Sequence, residues 1–350
     1  MIALKEKPPC PVFGECGGCL YQDMPYAEEL RVKETQLREL IVGELNITNN
    51  YFEPIEPSPK IYHYRHRLDL KLQRTRQSGI LMGFSPKPTP QPRWGMVPIE
   101  SCAIAQKEIS DFIPKLKQEA LQKFPADYRQ ANLVLRCGDE GKIFWGGIGK
   151  KSLTQQKEDY LWTKIRGRKI FYSLETFFQA NLSILPKVFD YLTSLPLWSD
   201  KPHFYDLYGG VGLFGIGLSD QVGKVTLIEE APASIELAQY NAQFHELKNF
   251  RVIPGKVEKE LLNLLKEDEE PTRVAMIDPP RAGLSRIVCE LLSESQELNH
   301  LLYLSCSPQS LVRDLSLLTK THWQITNIKP FDFFPRTQHL ETLVVLRRSL

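Results

Sequence analysis

The sequence lacks any run of 18 consecutive apolar residues, which excludes a membrane-spanning helix. It carries little net charge, +2 formally, so a polyanionic partner has to be met by a local patch and not by the molecule as a whole. Cysteine is scarce and odd in number, seven in 350 residues, which is a poor basis for a disulfide framework. No internal repeat and no low-complexity tract is visible. Met1 to Pro9 is charged and holds prolines without an apolar centre, so it does not read as a signal peptide. With 42% apolar and 25% charged residues the balance is globular, and at roughly 100–200 residues per domain the length predicts two or three domains. The expected location is cytoplasmic, with no membrane contact and no obligate protein partner.

What is present begins with the cysteines. Three crowd together in Cys10-Pro-Val-Phe-Gly-Glu-Cys16-Gly-Gly-Cys19, and a fourth, Cys102, follows in Ile-Glu-Ser-Cys-Ala-Ile. Clustered thiols in a reducing compartment serve metal binding or chemistry more often than bridges. Gly17-Gly18 lets the backbone turn tightly enough for Cys16 and Cys19 to face one centre. A tetrahedral zinc site fits the spacing, and so does a four-iron cluster with Cys102 as the remote ligand; the three-plus-one distribution suits the cluster better. Cys137 and Cys289 sit in apolar contexts and read as core.

Helical periodicity runs over 24–45, with Tyr26, Leu30, Leu37, Leu40 and Ile41 on the apolar side. The proline-rich stretch Pro54 to Pro59 reads as a linker. Alternation over 62–73 predicts a strand, and strand-like pieces recur at 80–85, 132–137 and 143–148, with a helix near 106–123. Together they suggest a small α+β module. Between 60 and 100 stand eight Lys or Arg (60, 65, 67, 71, 74, 76, 87, 93) against two acids, with Tyr62, Tyr64 and Trp94 interleaved. Cations for phosphates and aromatics for splayed bases are what a nucleic-acid face needs. From 203 onward strands and helices alternate, which predicts a doubly wound parallel sheet with ligands at the carboxyl ends of its strands. The predicted domains are 1–50, 51–170 and 171–350.

Three stretches on that sheet carry chemistry. Asp206-Leu-Tyr-Gly-Gly-Val-Gly212 follows the first strand, and its glycines permit a tight turn and close ligand approach. Glu229 ends the second strand, where an acid can hold the ribose hydroxyls of an adenosine cofactor. Asp278-Pro279-Pro280-Arg281-Ala282-Gly283 leaves an apolar strand stiffened by two prolines, and Ser305-Cys306-Ser307-Pro308 puts a thiol where a strand gives way to a helix.

With Phe178-Gln179-Ala180-Asn181 and Phe334-Pro335-Arg336-Thr337-Gln338-His339-Leu340-Glu341 added, these motifs make the chain resemble the RNA 5-methyluridine methyltransferases from Cys10 nearly to the C-terminus. The cysteine spacing is most similar to the bacterial 23S ribosomal RNA branch. The resemblance implies methylation of uracil carbon 5 in RNA, with transfer RNA as the alternative substrate and S-adenosylmethionine as the donor. It implies a [4Fe–4S] cluster on Cys10, Cys16, Cys19 and Cys102, and a Rossmann-like catalytic sheet preceded by a small central domain. By the same resemblance Cys306 is the nucleophile and Glu341 the general base, while Gln179, Tyr208, Gly210, Gly212, Glu229 and Asp278 hold the cofactor or the target base. Gly209 stands where the family often has another cysteine. The short stretch before Cys10 leads to the expectation that the N-terminal RNA-binding β-barrel of part of the family is missing, so that RNA is gripped by the central domain and the cysteine region. Two rival readings remain: an adenine-amine methyltransferase, which also uses Asp-Pro-Pro but needs no cysteine, and an RNA-binding protein without turnover.

Overall fold

The computed structural model describes residues 6–75, 79–88, 95–123, 128–147 and 156–349. A cysteine-bearing loop leads into helix α1 (Tyr26–Leu45), which ends on left-handed Asn46. Next comes an antiparallel sheet built from β1 (Arg67–Thr75), β2 (Gly79–Phe84), β3 (Val97–Pro98), β4 (Gln130–Cys137) and β5 (Ile143–Gly147), in the order β3-β2-β1-β4-β5. Helix α2 (Lys107–Lys123) covers one face of it. Alternation in β1 buries Leu68, Leu70 and Leu72 under that helix and leaves Arg67, Asp69 and Lys71 on the other face. The chain over 62–66, predicted as strand, does not join the sheet.

Two strands, β6 (Leu161–Ile165) and β7 (Arg168–Tyr172), form a hairpin closed by Arg166 and Gly167, both at positive φ. The sequence reading assigns no element here, although the alternation on both sides of Arg-Gly is a hairpin signal. Residue 170, where that reading divides the chain, lies within β7, and the hairpin's Leu161, Ile165, Ile170 and Tyr172 pack into the core of the larger sheet.

The half that builds the larger sheet begins with α3 (Leu185–Ser194), also unassigned from sequence, and continues through β8 (His203–Leu207), α4 (Leu213–Gly217), β9 (Lys224–Glu229), α5 (Pro232–Phe244), β10 (Phe250–Pro254), α6 (Val257–Glu267), β11 (Arg273–Ile277), α7 (Arg286–Glu294), β12 (His300–Ser305), α8 (Pro308–Leu318), β13 (Trp323–Phe331) and β14 (Glu341–Arg348). The seven strands are ordered β10-β9-β8-β11-β12-β14-β13. β8, β9, β10, β11 and β12 are parallel, but β14 runs antiparallel to both β12 and β13. The expected doubly wound parallel sheet is present over β8 to β12, and β14 adds an antiparallel strand to it. No helix intervenes between β13 and β14, so the chain turns directly back, and the returning strand has to be antiparallel.

Helix α1 departs from its predicted apolar stripe. Its buried residues are Glu29, Lys33, Leu37 and Ile41, at four-residue spacing, while Leu30 is only partly covered. The two charges meet partners at the end of β13. The Lys33 ammonium is 2.8 Å from both Glu29 and Asp332 and donates to the Phe334 carbonyl at 3.1 Å. Tyr26 Oη donates to Asp332 at 2.8 Å, and the Arg336 amide donates to Glu29 Oε1 at 2.7 Å. Removing one partner of a buried pair strands the others without compensation. Lys33→Ala is expected to destabilise the protein by about 3–5 kcal/mol, read as a lowered urea midpoint with an unchanged denaturant slope.

Candidate active site

β9 lies on one side of β8 and β11 on the other, so the loops leaving β8 and β11 part and open a crevice at the carboxyl ends of the strands. The crevice is a cavity of about 670 Å³. Gln179, Tyr208, Gly210, Glu229, Asp278, Cys306 and Glu341, from distant parts of the sequence, all line it. Gly212 does not; it sits just before α4 with φ +90° and serves the turn.

The turn after β8 is tight. Tyr208, Gly210 and Gly212 all have positive φ, a conformation that is strained for tyrosine. Gly209 has a packing reason of its own, because a Cβ there would stand 2.5 Å from Leu227 Cγ. A cysteine at this position would collide with Leu227 of β9 unless that side chain moved. Glu229 holds the turn in place. Its Oε2 accepts from the Gly210 amide at 3.0 Å, and its Oε1 accepts from the Glu230 and Ala231 amides at 3.0 and 2.7 Å.

Asp278, Cys306 and Glu341 form the chemical end of the cavity. Gln179 Nε2 donates to Asp278 Oδ2 at 3.0 Å, and burial pushes the Asp278 carboxyl up to about 7. Glu341 opens β14, is buried, and keeps Oε2 without a hydrogen-bond partner. Burial first, then the Asp278 carboxylate, holds its pKa well above the usual range. Cys306, just past β12, is pushed up to about 11 by burial and then by Glu341, with Arg281 opposing. Near neutral pH the free protein thus keeps Cys306 as a thiol. The Arg281 side chain lies in the cavity wall and forms no ion pair or hydrogen bond among the described residues. Although it belongs to the Asp-Pro-Pro-Arg motif, the sequence reading gives it no role. Arg65, Arg67 and Phe177, the last 65% exposed, line the same cavity.

The basic stretch is only partly a surface for bases. Tyr64 is buried and donates to the Pro335 carbonyl at 3.0 Å, while Tyr62 is half-buried under the Arg336 guanidinium, 4.9 Å from its ring centre. Both tyrosines pack against the loop before Glu341, because buried rings with a polar tip take internal partners. Arg76, Arg93 and Trp94 lie outside the described residues.

Cys10, Cys16, Cys19 and Cys102 line one smaller cavity of about 200 Å³. Burial raises the pKa of Cys16 and Cys102 and pushes Cys19 up to about 12, and neighbouring cysteines add to each shift. Among the described residues no group of three or more His, Cys, Asp or Glu is arranged to hold a metal ion. The loop carrying the first three cysteines bridges the two halves of the protein. Gly17 donates to the Ser85 carbonyl at 3.1 Å, and the Leu20 and Tyr21 amides donate to the Arg336 carbonyl at 2.8 and 3.2 Å.

Residues 146–349 match the family described as tRNA (uracil-5-)-methyltransferase. A protein of Aquifex aeolicus described as an uncharacterized RNA methyltransferase is 28% identical over 98% of this chain and 84% of its own length. One of Clostridium tetani with the same description is 26% identical over 99% of this chain and 85% of its own. Among solved structures, the Pyrococcus abyssi tRNA (uracil-54, C5)-methyltransferase in complex with S-adenosyl-L-homocysteine shares the fold, with a TM-score of 0.72 at 21% identity, covering 94% of this chain and 85% of that one. No helix among the described residues is long and apolar enough to cross a membrane.

Beneath the turn, Asp206 is fully buried. Its Oδ2 accepts from the Gly215 amide at 2.8 Å and its Oδ1 has no partner, so burial pushes it up to about 8. The folded state then binds a proton that the unfolded chain has released, and stability through this group falls as pH rises from about 4 to about 8. Asp206→Asn is expected to flatten that part of the profile, read as denaturant midpoints of both proteins at pH 5 and pH 8.5.

Proposed function

Because the chain belongs to the tRNA (uracil-5-)-methyltransferase family, we propose that it methylates carbon 5 of a uridine in RNA through a covalent adduct on Cys306, with S-adenosylmethionine as the donor. The observation that carries this reading is the meeting of Cys306, Asp278 and Glu341 with the glycine turn and Glu229 in one cavity. An adenine-amine methyltransferase needs no such thiol, and a binding protein needs no nucleophile beside a buried, unpartnered carboxyl.

Tyr208, Gly210 and Glu229 are the residues to hold the cofactor, and the cavity's unpartnered Glu341 oxygen and acid-rich lining suit a cationic ligand. Bound there, S-adenosylmethionine supplies an electrophilic methyl group. The protein's task is to make carbon 5 reactive. The Cys306 thiol gives up its proton to solvent and adds to carbon 6, which turns the ring into an enolate whose carbon 5 would take the methyl group of the bound donor as the sulfonium–methyl bond breaks. Arg281 is the nearby cation that favours the thiolate. Asp278 and Glu341 both carry raised pKa values, and one proton held between them leaves one carboxyl to donate to a uracil carbonyl and the other as a carboxylate. Glu341 as a carboxylate then takes the proton from carbon 5, and elimination frees Cys306. The target base has to leave its stack to reach this depth, and Arg65, Arg67 and exposed Phe177 at the same cavity offer phosphate contacts and a stacking face.

The RNA proposed is 23S ribosomal RNA, from the close-set cysteines; transfer RNA is the second reading, favoured by the family's description. Residues 51–170 are proposed as the RNA-binding part. Cys10, Cys16, Cys19 and Cys102 are proposed to hold a [4Fe–4S] cluster. The four cysteines line one cavity, and thiols are the donor type of such clusters, although the side chains would have to draw together to bind one. Bound there, a cluster supplies a covalent staple between the N-terminal loop and the segment carrying Cys102.

Incubation of unmodified ribosomal and transfer RNA with anaerobically purified protein and labelled donor should place the label in 5-methyluridine, and the labelled fraction identifies the RNA. Cys306→Ala should abolish both turnover and any covalent RNA adduct, whereas Glu341→Gln should let the methylated adduct accumulate. An adduct surviving in Cys306→Ala, or label in methyladenine, would overturn the assignment. For the cysteine site, the expected metal analysis is about four iron and four sulfide per chain, lost together in Cys19→Ser; stoichiometric zinc without sulfide would replace the cluster.

A further inference from the structure

A second cavity, of about 370 Å³, adjoins the catalytic one, and Cys306 and Arg281 line both. Its walls come from three elements that meet only in the folded protein: α1, the first turn of α8, and the segment leading into β14. Leu37, Leu40 and Leu340 give it apolar surface, and Gln36, Gln309 and Gln338 are exposed amides around it. None of these three side chains forms a hydrogen bond within the protein among the described residues. The volume lies within the range of about 300–1,000 Å³ usual for small-molecule sites.

The charges of the two cavities differ. Asp69, Glu175, Glu229, Glu230, Glu258, Asp278 and Glu341 line the catalytic cavity, whereas no acid lines the second one. Lys33 reaches it, but Glu29 and Asp332 neutralise that ammonium. Arg281, whose side chain forms no ion pair or hydrogen bond among the described residues, stands in the wall that the cavities share. An acid-free pocket of apolar faces and open amides, with a guanidinium at its mouth, matches a nucleobase and its phosphate. Glutamine amides pair with base edges in both donor and acceptor sense, and guanidinium binds phosphate through paired hydrogen bonds.

We propose that this cavity holds the base of the nucleotide adjoining the target uridine, with Arg281 on the phosphate that joins the two. The inference rests on the proposed RNA uridine chemistry, because it is the position of carbon 6 at Cys306 that brings the neighbouring nucleotide to the shared wall. The ion pairs of Lys33 then have a second consequence: they hold α1 against the segment carrying Gln338, so the pocket is built before RNA arrives. The uridine is thereby selected together with one neighbour, by amides rather than by charge.

The test uses the RNA fragment in which the wild-type protein makes 5-methyluridine, together with two versions carrying an abasic ribose immediately 5′ or 3′ of the target. The Gln36→Ala/Gln338→Ala protein, whose changes are at exposed positions, should melt with the wild type but show a KM for intact RNA raised about tenfold or more, with kcat little changed. One abasic substrate should cost the wild type a similar factor, and the double variant should lose nothing further on that substrate. A wild-type KM in the variant, or penalties that multiply on both abasic substrates, would overturn the subsite while leaving the methyltransferase reading intact. Failure of the wild type to methylate any RNA defeats the function itself, and the subsite with it.

Discussion

The interaction on which the rest of the site depends is the buried ion pairing of Lys33 with Glu29 and Asp332. Three charges taken out of water are tolerable only if their geometry is fixed and their remaining hydrogen bonds are met. Tyr26, the Phe334 carbonyl and the Arg336 amide meet most of them, and Glu29 Oε2, which accepts no hydrogen bond among the described residues, lies 3.7 Å from the Arg336 guanidinium. The same bonds therefore hold α1 onto the segment between β13 and β14. That segment also takes the amides of Leu20 and Tyr21 on the Arg336 carbonyl, and it ends at Glu341. The cysteine loop, the first helix and the candidate base are thus parts of one clamp. A hydrophobic α1 could cover the same area, but it would not fix the segment's backbone at named atoms.

Burial does the second part of the work. Asp206, Asp278 and Glu341 all carry raised pKa values with desolvation as the first cause, and Asp278 adds to the shift of Glu341. A carboxyl whose pKa is raised is a stronger base once ionised, which suits the role proposed for Glu341. The same desolvation keeps Cys306 protonated in the free protein. Arg281, as the opposing charge beside it, links thiolate formation to whatever else that guanidinium binds.

Much of the site was legible because it sits where a strand ends. Parallel strands buried on both faces read as short apolar runs, so Val274–Ile277 and Leu301–Leu304 mark themselves, and Asp278 and Cys306 follow directly. Glycines at positive φ are equally local, and Gly210 and Gly212 stand out for that reason. Other features were hidden. Glu29 and Lys33 on a buried stripe look like solvated charges until their partners some 300 residues away are seen. Tyr62 and Tyr64 read as stacking aromatics beside arginines, yet tertiary packing turns them inward, while Phe177 is left exposed at the cavity. The hairpin at 161–172 was missed, although its alternation is a hairpin signal.

The sequence by itself determined the alternation of strands and helices, the tight turn after β8, the clustering of thiols and the identity of the chemical groups, because each depends on residues close together in the chain. Only the tertiary structure decided which way β14 runs, which charges are buried, that Cys306 and Arg281 are shared by two cavities, and that Gly209 has no room for a side chain beside Leu227. Those outcomes depend on contacts between distant segments, where burial and partner geometry outweigh local preference.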